Sequence, residues 1–265
     1  MIKLKEGDVY EGQIQFSTNG NASLIIDETE IFIYKKNTLN SLHLDKVKIE
    51  IFKADKKLEG KVIEVISRFK TEFVGKVHLN KDLIFVIPDS NKMPVDFYIK
   101  GGSKAEHGQK VVVEMIGWEP GTKSPKAKIV KILGDAGDNN TEMNSIMYEY
   151  GLPVDFPKEV EEEANQIDFD ISNEISNRTD MRDVTTITID PVDARDFDDA
   201  LSIKILGDKV EIGVHIADVS HYVKVGTKLD DEALKRATSV YLVDRCVPML
   251  PERLSNGVCS LRPNE

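Results

Sequence analysis

The chain has 265 residues, with 46 acidic against 35 basic side chains, a formal net charge of −11 and a pI near 5.1. Its 40% hydrophobic content excludes a disordered chain, and its length suits one large domain or two to three small ones. No run approaches the ~18 apolar residues of a membrane helix, the first residues (MIKLKEGDVYEG) lack an apolar export core, and Cys246 and Cys259 match neither a zinc spacing nor a disulfide framework, so no membrane partner and a reducing cytoplasm are expected.

Short strands dominate the first 134 residues. Gly12–Phe16, Ala22–Ile26 and Glu30–Tyr34 are separated by the turn signals Asn19-Gly20 and Asp27-Glu28. Val47, Ile49 and Ile51 alternate with Lys48 and Glu50, the period-two pattern of a half-buried strand. The pattern then recurs. Gly60–Ile66 echoes Gly12–Phe16, Leu83–Ile87 echoes Ile31–Tyr34, and Lys110–Met115 echoes Lys46–Ile51. Two small barrels of about five strands each fit these lengths, in the OB or cold-shock architecture, over residues 1–54 and 55–134.

An acidic helical segment and linker, 135–183, follows. Thr141–Tyr150 and Lys158–Gln166 read as helices broken by Pro153 and Pro157, and 168–183 reads as extended. Strand character returns at Val184–Ile189, Leu201–Ile205 and Val210–Ile216, and Leu229–Tyr241 reads as a helix. The fold class expected is mainly β plus α+β: two tandem barrels, then the start of a mixed α/β domain over 184–265.

Charge is unevenly spread. Residues 53–131 hold 16 basic and 10 acidic side chains, a net of +6, whereas 132–200 hold 4 and 19, a net of −15. Summed charge governs the long-range attraction of phosphates, so the basic segment is the candidate polyanion path.

Five aspartates crowd into Asp190-Pro191-Val192-Asp193-Ala194-Arg195-Asp196-Phe197-Asp198-Asp199 between two apolar strands. Carboxylates this close resist joint ionisation without a cation. Oxygen ligands without His or Cys suit Mg²⁺, or Mn²⁺, and such an ion serves phosphodiester hydrolysis. An EF-hand loop does not fit, because Val192 or Ala200 falls on a ligand position. A solvated acidic turn is the plain alternative, weakened by Pro191, Val192 and Phe197.

Asp190, Asp196, Asp198 and Asp199 resemble the Asp-x₅-Asp-x-Asp-Asp signature of the ribonuclease II/ribonuclease R exoribonuclease family. The blocks Gly213–Val223 and Pro248–Leu261 resemble that family's next two motifs, and Glu142–Pro157 with the tandem barrels favours its ribonuclease R branch. The resemblance implies a processive, Mg²⁺-dependent 3′→5′ hydrolase releasing nucleoside 5′-monophosphates from single-stranded RNA ends. It implies Asp190 and Asp199 as metal ligands, Asp196 supporting the same site, Asp198 holding the terminal nucleotide, and Tyr241 packing on bases. His215 reads as a hydrogen-bonded strand histidine. Neither it nor His221 is used as a ligand, and Asp193 and Arg195 are left structural.

In the family the catalytic domain is several times longer than the roughly 80 residues present, and the reacting phosphate is held by an Arg and a Glu further along. Little nuclease activity is therefore expected of these 265 residues alone. Asn21–Ile26 lacks paired aromatics, so RNA contact is expected mainly in the second barrel, through Phe69, Phe73, Lys61 and Lys70, with Phe85 in the core. A monomer is expected. The alternatives are a non-catalytic RNA-binding protein built on the barrels, and a chain that does not fold beyond Val184.

Overall fold

The computed structural model describes residues 4–54, 57–81, 83–119, 121–153, 155–192, 194 and 197–261. Two compact units divide the chain, Met1–Leu152 and Pro153–Glu265.

In the first unit, β1 (Val9–Gln13), β2 (Gln15–Phe16), β3 (Ala22–Ile26), β4 (Thr29–Ile33), β5 (Lys46–Ala54) and β6 (Leu58–Ser67) form one sheet in the order β1-β5-β6-β4-β3-β2. Its two end strands are separated in sequence only by Ile14, so the sheet comes round on itself. Alternation sends Leu24, Ile31, Ile33, Val47, Ile49 and Ile51 inward, all fully buried. The β3–β4 hairpin turns on Asp27 and Glu28, both at positive φ (44° and 65°), the twist a two-residue turn requires.

The second barrel is closed: β7 (Glu72–Asn80), β8 (Leu83–Pro88), β9 (Phe97–Ile99), β10 (Gln109–Gly117) and β11 (Lys126–Asp135), ordered β10-β11-β9-β8-β7. It repeats the first barrel strand for strand. β4 lies parallel to β6 as β9 lies parallel to β11, and β5 pairs with first and fifth strands as β10 does. Matched backbone groups even share a device: the Phe16 N–H donates to His43 Nδ1 (3.0 Å) and the Leu79 N–H to His107 Nδ1 (3.1 Å). Gly75 crosses β8 so closely that a Cβ would stand 2.4 Å from the Ile87 carbonyl oxygen.

Two expectations shift here. β6 hydrogen-bonds to β5 and completes the first sheet, so the division falls after Ser67 and not at 54/55. For the same reason Gly60–Ile66 corresponds to β11, not to Gly12–Phe16, and Leu83–Ile87 in β8 corresponds to β3, not to Ile31–Tyr34 of β4, whereas the Lys46–Ile51 and Lys110–Met115 echo holds as β5 and β10. A glycine leads both segments, but their pairing partners differ, and pairing partners define the repeat.

The barrels are locked together by Asp45, whose side chain is 1% exposed. Its carboxylate accepts from the N–H groups of Leu42 (2.7 Å) and Phe69 (3.0 Å) and from Arg68 Nη1 (2.6 Å), which also donates to the Asn40 carbonyl (2.7 Å). This loop lays Leu42, 2% exposed, into the second barrel's core beside Phe73, Phe97 and Val111. α1 (Asn139–Glu149) closes the unit, capped by Asp138, which accepts from the Thr141 N–H.

In the second unit, α2 (Lys158–Gln166) and α4 (Lys228–Arg236) pack Val160, Ala164 and Leu229 against Leu250, Leu254 and Cys259. The buried Arg236 pairs with Glu232 (2.9 Å), donates to the Pro153, Asp155 and Pro248 carbonyls and covers the Phe156 ring. A three-stranded sheet, β12 (Thr186–Ile187), β13 (Asp199–Leu206) and β14 (Lys209–Ile216), shows that chain order continues past Val184. α3 (Val219–Tyr222) and the short pair β15 (Val240–Tyr241) and β16 (Cys246–Val247) complete the unit. The helix expected over Leu229–Tyr241 stops at Arg236 because Ala237 turns to φ 64°. The stretch 168–183 is irregular apart from one helical turn, Ile175–Asn177.

Removing a buried carboxylate that three donors share leaves two backbone N–H groups and the guanidinium uncompensated. Asp45→Ala is expected to lower the unfolding free energy of the first unit by about 3–5 kcal/mol, measured by urea denaturation. His43 is held below the usual imidazole range by burial and by the charges of Lys92 and Lys70. A depressed folded pKa favours the neutral ring, so this contribution is complete above the ordinary value near 6.5 and is lost as pH falls below it. Stability of the first barrel should decline in that window, and His43→Gln, which keeps an acceptor, should flatten the decline.

Candidate active site and nucleic-acid interface

The aspartate run leads into β13, and its end is held at three backbone points. The Phe197 N–H donates to Ser260 Oγ (2.9 Å), the Leu261 N–H to the Phe197 carbonyl (2.8 Å), and the Ala217 N–H to the Asp198 carbonyl (3.3 Å). Asp199 opens β13 opposite Ile216 on β14. These bonds bring together the aspartate run, the block Gly213–Val223 and the block Pro248–Leu261, which are far apart in sequence.

Asp198 and Asp199 are solvent-exposed. Asp190 is half-buried, and its Oδ2 is enclosed and meets no hydrogen-bond donor among the described residues. An acceptor-only oxygen buried without a donor is costly unless a cation meets it. The donor chemistry, all carboxylate, suits a hard divalent ion. Asp196 lies outside the described residues, as do Asp193 and Arg195. Among the described residues no three His, Cys, Asp or Glu side chains converge as a metal cluster.

His215 Nε2 hydrogen-bonds Ser202 Oγ across β13 and β14 (2.8 Å), the strand role expected of it. Asp218 is held below the ordinary carboxylate range by hydrogen bonds from Ser220 and Arg178, the latter also bonded to His221 Nδ1 (3.3 Å). Burial, with the charges of Asp198 and Asp218, pushes the Cys259 thiol up to about 11. Tyr241 lies on β15, 66% exposed, rather than at a helix end.

In the first unit the expected RNA contacts separate. Phe69 is 58% exposed beside the Asp45 lock. Phe73 is buried (6%) against Phe97, ring centroids 4.8 Å apart, so its ring is core and closed to bases. Lys70 is tied to Glu149 (2.8 Å), and Lys61 belongs to β6 of the first barrel, paired with Glu50 (3.1 Å).

Phe85 is not core. Val77, Val86, Phe97 and Ala127 point inward, so their neighbours point out, and register sets His78 opposite Phe85, Phe85 opposite Tyr98 and Tyr98 beside Lys126. The Phe85 and Tyr98 centroids are 5.7 Å apart, and His107 packs on His78 at 5.1 Å. A row of three rings and a lysine thus crosses four strands. The apolar neighbours of Phe85 concealed this, because the alternation of β8 is visible only once Tyr98 is placed opposite. The equivalent row of the first barrel reads Gln15, Ser23, Phe32 and Glu59, with Lys57 Nζ 3.4 Å over the Phe32 ring.

The chain matches three families: the RNB domain over residues 178–265, the Cold shock domain over 85–157 and the Ribonuclease B OB domain over 12–65. Ribonuclease R of Thermotoga maritima is 41% identical over 263 residues, 96% of this chain and 37% of that protein. The apo form of Mycoplasma genitalium RNase R matches with a TM-score of 0.86 at 25% identity, over 97% of this chain and 42% of that one. The same enzyme is known in complex with ribose methylated single-stranded RNA and with double-stranded RNA. Yeast Ssd1, a pseudonuclease, matches in fold with a TM-score of 0.70 at 18% identity, over 97% of this chain and 40% of that one. The chain spans about a third of the length of the curated relatives it matches most extensively. On these matches the chain belongs to the ribonuclease R family.

At pH 8 iodoacetamide should alkylate the exposed Cys246 and leave the buried Cys259 largely unmodified, read by peptide mass.

Proposed function

We propose, with that membership as premise, that this chain is the RNA-feeding and carboxylate-bearing part of a Mg²⁺-dependent 3′→5′ exoribonuclease. The observation that carries the reading is the buried Oδ2 of Asp190, which meets no donor among the described residues, together with the backbone of Phe197 and Asp198 held by the two neighbouring motifs. Asp190 and Asp199 would hold the ion, with Asp196 supporting. When bound, a divalent cation neutralises phosphoryl oxygens and activates water. Asp198 would fix the 3′-terminal nucleotide by accepting hydrogen bonds from its sugar hydroxyls. Tyr241 would pack on a base near that end, a contact indifferent to base identity. His78, Phe85 and Tyr98 on the second barrel would stack bases upstream. Products are nucleoside 5′-monophosphates, released processively, and the chain acts as a monomer in the cytoplasm.

A second reading is a non-catalytic RNA-binding protein. The fold it shares with a pseudonuclease is the observation that raises it. Calorimetric titration with Mn²⁺ separates the two. The nuclease reading expects one binding event, weakened at least tenfold in Asp190→Asn and in Asp199→Asn. Binding unchanged in both variants, or no binding in the wild-type chain, overturns the metal site. In parallel, Phe85→Ala with Tyr98→Ala should weaken oligoribonucleotide binding by ~2 kcal/mol or more, read by fluorescence anisotropy in EDTA.

A further inference from the structure

We propose that an open concavity of about 330 Å³ beside the aromatic row, lined by Lys100, Gly102, Ser103, Lys104, Lys128 and Lys131, receives the phosphodiester backbone of the RNA strand whose bases stack on that row. It rests on the reading that the second barrel binds RNA. It adds where the backbone runs and which charges follow it.

The placement comes from strand geometry. Lys100 is two residues beyond Tyr98, and its N–H continues the ladder by donating to the Ala127 carbonyl (3.0 Å). Two-residue alternation therefore sets Lys100 on the outward face that carries Tyr98, and Lys128 on the face that carries Lys126. Lys100 and Lys128 of the concavity thus lie two residues along their strands from Tyr98 and Lys126 of the row. A strand lying across Phe85 and Tyr98 with its bases on the rings has its sugar-phosphate edge directed into the four lysines.

The charges are available. Neither Lys100 nor Lys104 is ion-paired among the described residues, and both are exposed. Lys128 meets Glu114 at 2.7 Å, and Lys131 donates to the Tyr148 hydroxyl (2.7 Å). An exposed pair such as Lys128–Glu114 contributes little and leaves the lysine able to meet a phosphate. Glu119 is held by Lys126 at 2.6 Å and feels the charge of Lys100 more weakly. Gly101 and Gly102 adopt φ of 95° and 76°, and nothing stands within 4 Å of where their side chains would be, so the loop floor admits close approach. The Ser103 hydroxyl adds a hydrogen-bonding group to the lining.

Phosphate contacts and base contacts have different signatures. Each lysine lost from a single-stranded backbone path reduces the slope of log K against log salt by about 0.7, whereas loss of stacking leaves the slope alone. The test is anisotropy of labelled oligouridylate and oligoadenylate with the full chain in EDTA, across a KCl series. Lys100→Ala with Lys104→Ala should reduce the slope by ~1.4 and weaken both sequences by the same factor. Lys100→Arg with Lys104→Arg should retain the wild-type slope, and circular dichroism verifies that each variant folds. Phe85→Ala with Tyr98→Ala should weaken binding at unchanged slope. If the alanine pair leaves the slope unchanged while the aromatic pair still weakens binding, the concavity is not on the backbone path and the RNA reading survives. If the wild-type chain binds neither oligonucleotide, both fall together. Loss of affinity for an acidic peptide but not for RNA assigns the concavity to a protein partner and overturns the proposal.

Discussion

One buried carboxylate sets the geometry of the first unit. Asp45 satisfies two backbone N–H groups and a guanidinium at once, from both sides of the junction between barrels. A flexible tether in its place would leave each barrel to orient independently. With Asp45 the Leu42 loop is fixed, Leu42 enters the neighbouring core, and the two β-barrels share apolar packing. Side chains on one barrel therefore keep a constant relation to those on the other. That constancy is what a multi-nucleotide surface needs, since each additional contact then costs little further ordering.

The duplicated barrels illustrate how one scaffold is put to two uses. Equivalent positions carry His78, Phe85, Tyr98 and Lys126 in one barrel and Gln15, Ser23, Phe32 and Glu59 in the other. The second set offers a single ring, already covered by a lysine of its own chain. Backbone pairing is the same in both, so the difference lies wholly in outward side chains, which the core does not constrain. The global charge of −11 conceals the same partition. Several lysines of the basic segment are spent on internal pairs with Glu50, Glu149, Asp89 and Glu119, and only part of the excess remains to act on a polyanion.

Much of the architecture could be read from residue order. Period-two alternation located β5 and β10, the prolines marked the break before α2, and the aspartate spacing identified the family. The closing strand of the first barrel was hidden because β6 begins with a glycine-led segment that looks like a beginning, and only its partner β5 reveals it as an end. Phe73 and Phe85 exchanged roles for a related reason. Phe85 sits between Ile84 and Val86 and Phe73 between Glu72 and Val74, and inward or outward direction depends on cross-strand register that no local pattern carries. Of the aspartate site, the residue order supplied the carboxylates and their spacing. The enclosure of one Asp190 oxygen and the anchoring of the loop by Ser260 and Leu261 are tertiary facts.

The insertion of Leu42 into its neighbour bears on how the chain acquires its structure during synthesis. The second barrel's core is completed by a side chain translated well before the strands that enclose it. The first barrel, emerging from the ribosome ahead, presents a preformed apolar peg held by Asp45, and the second can condense around it. Folding order is thereby tied to the direction of translation. A second barrel made without its predecessor would begin life with a gap in its interior and would be the poorer folder of the two.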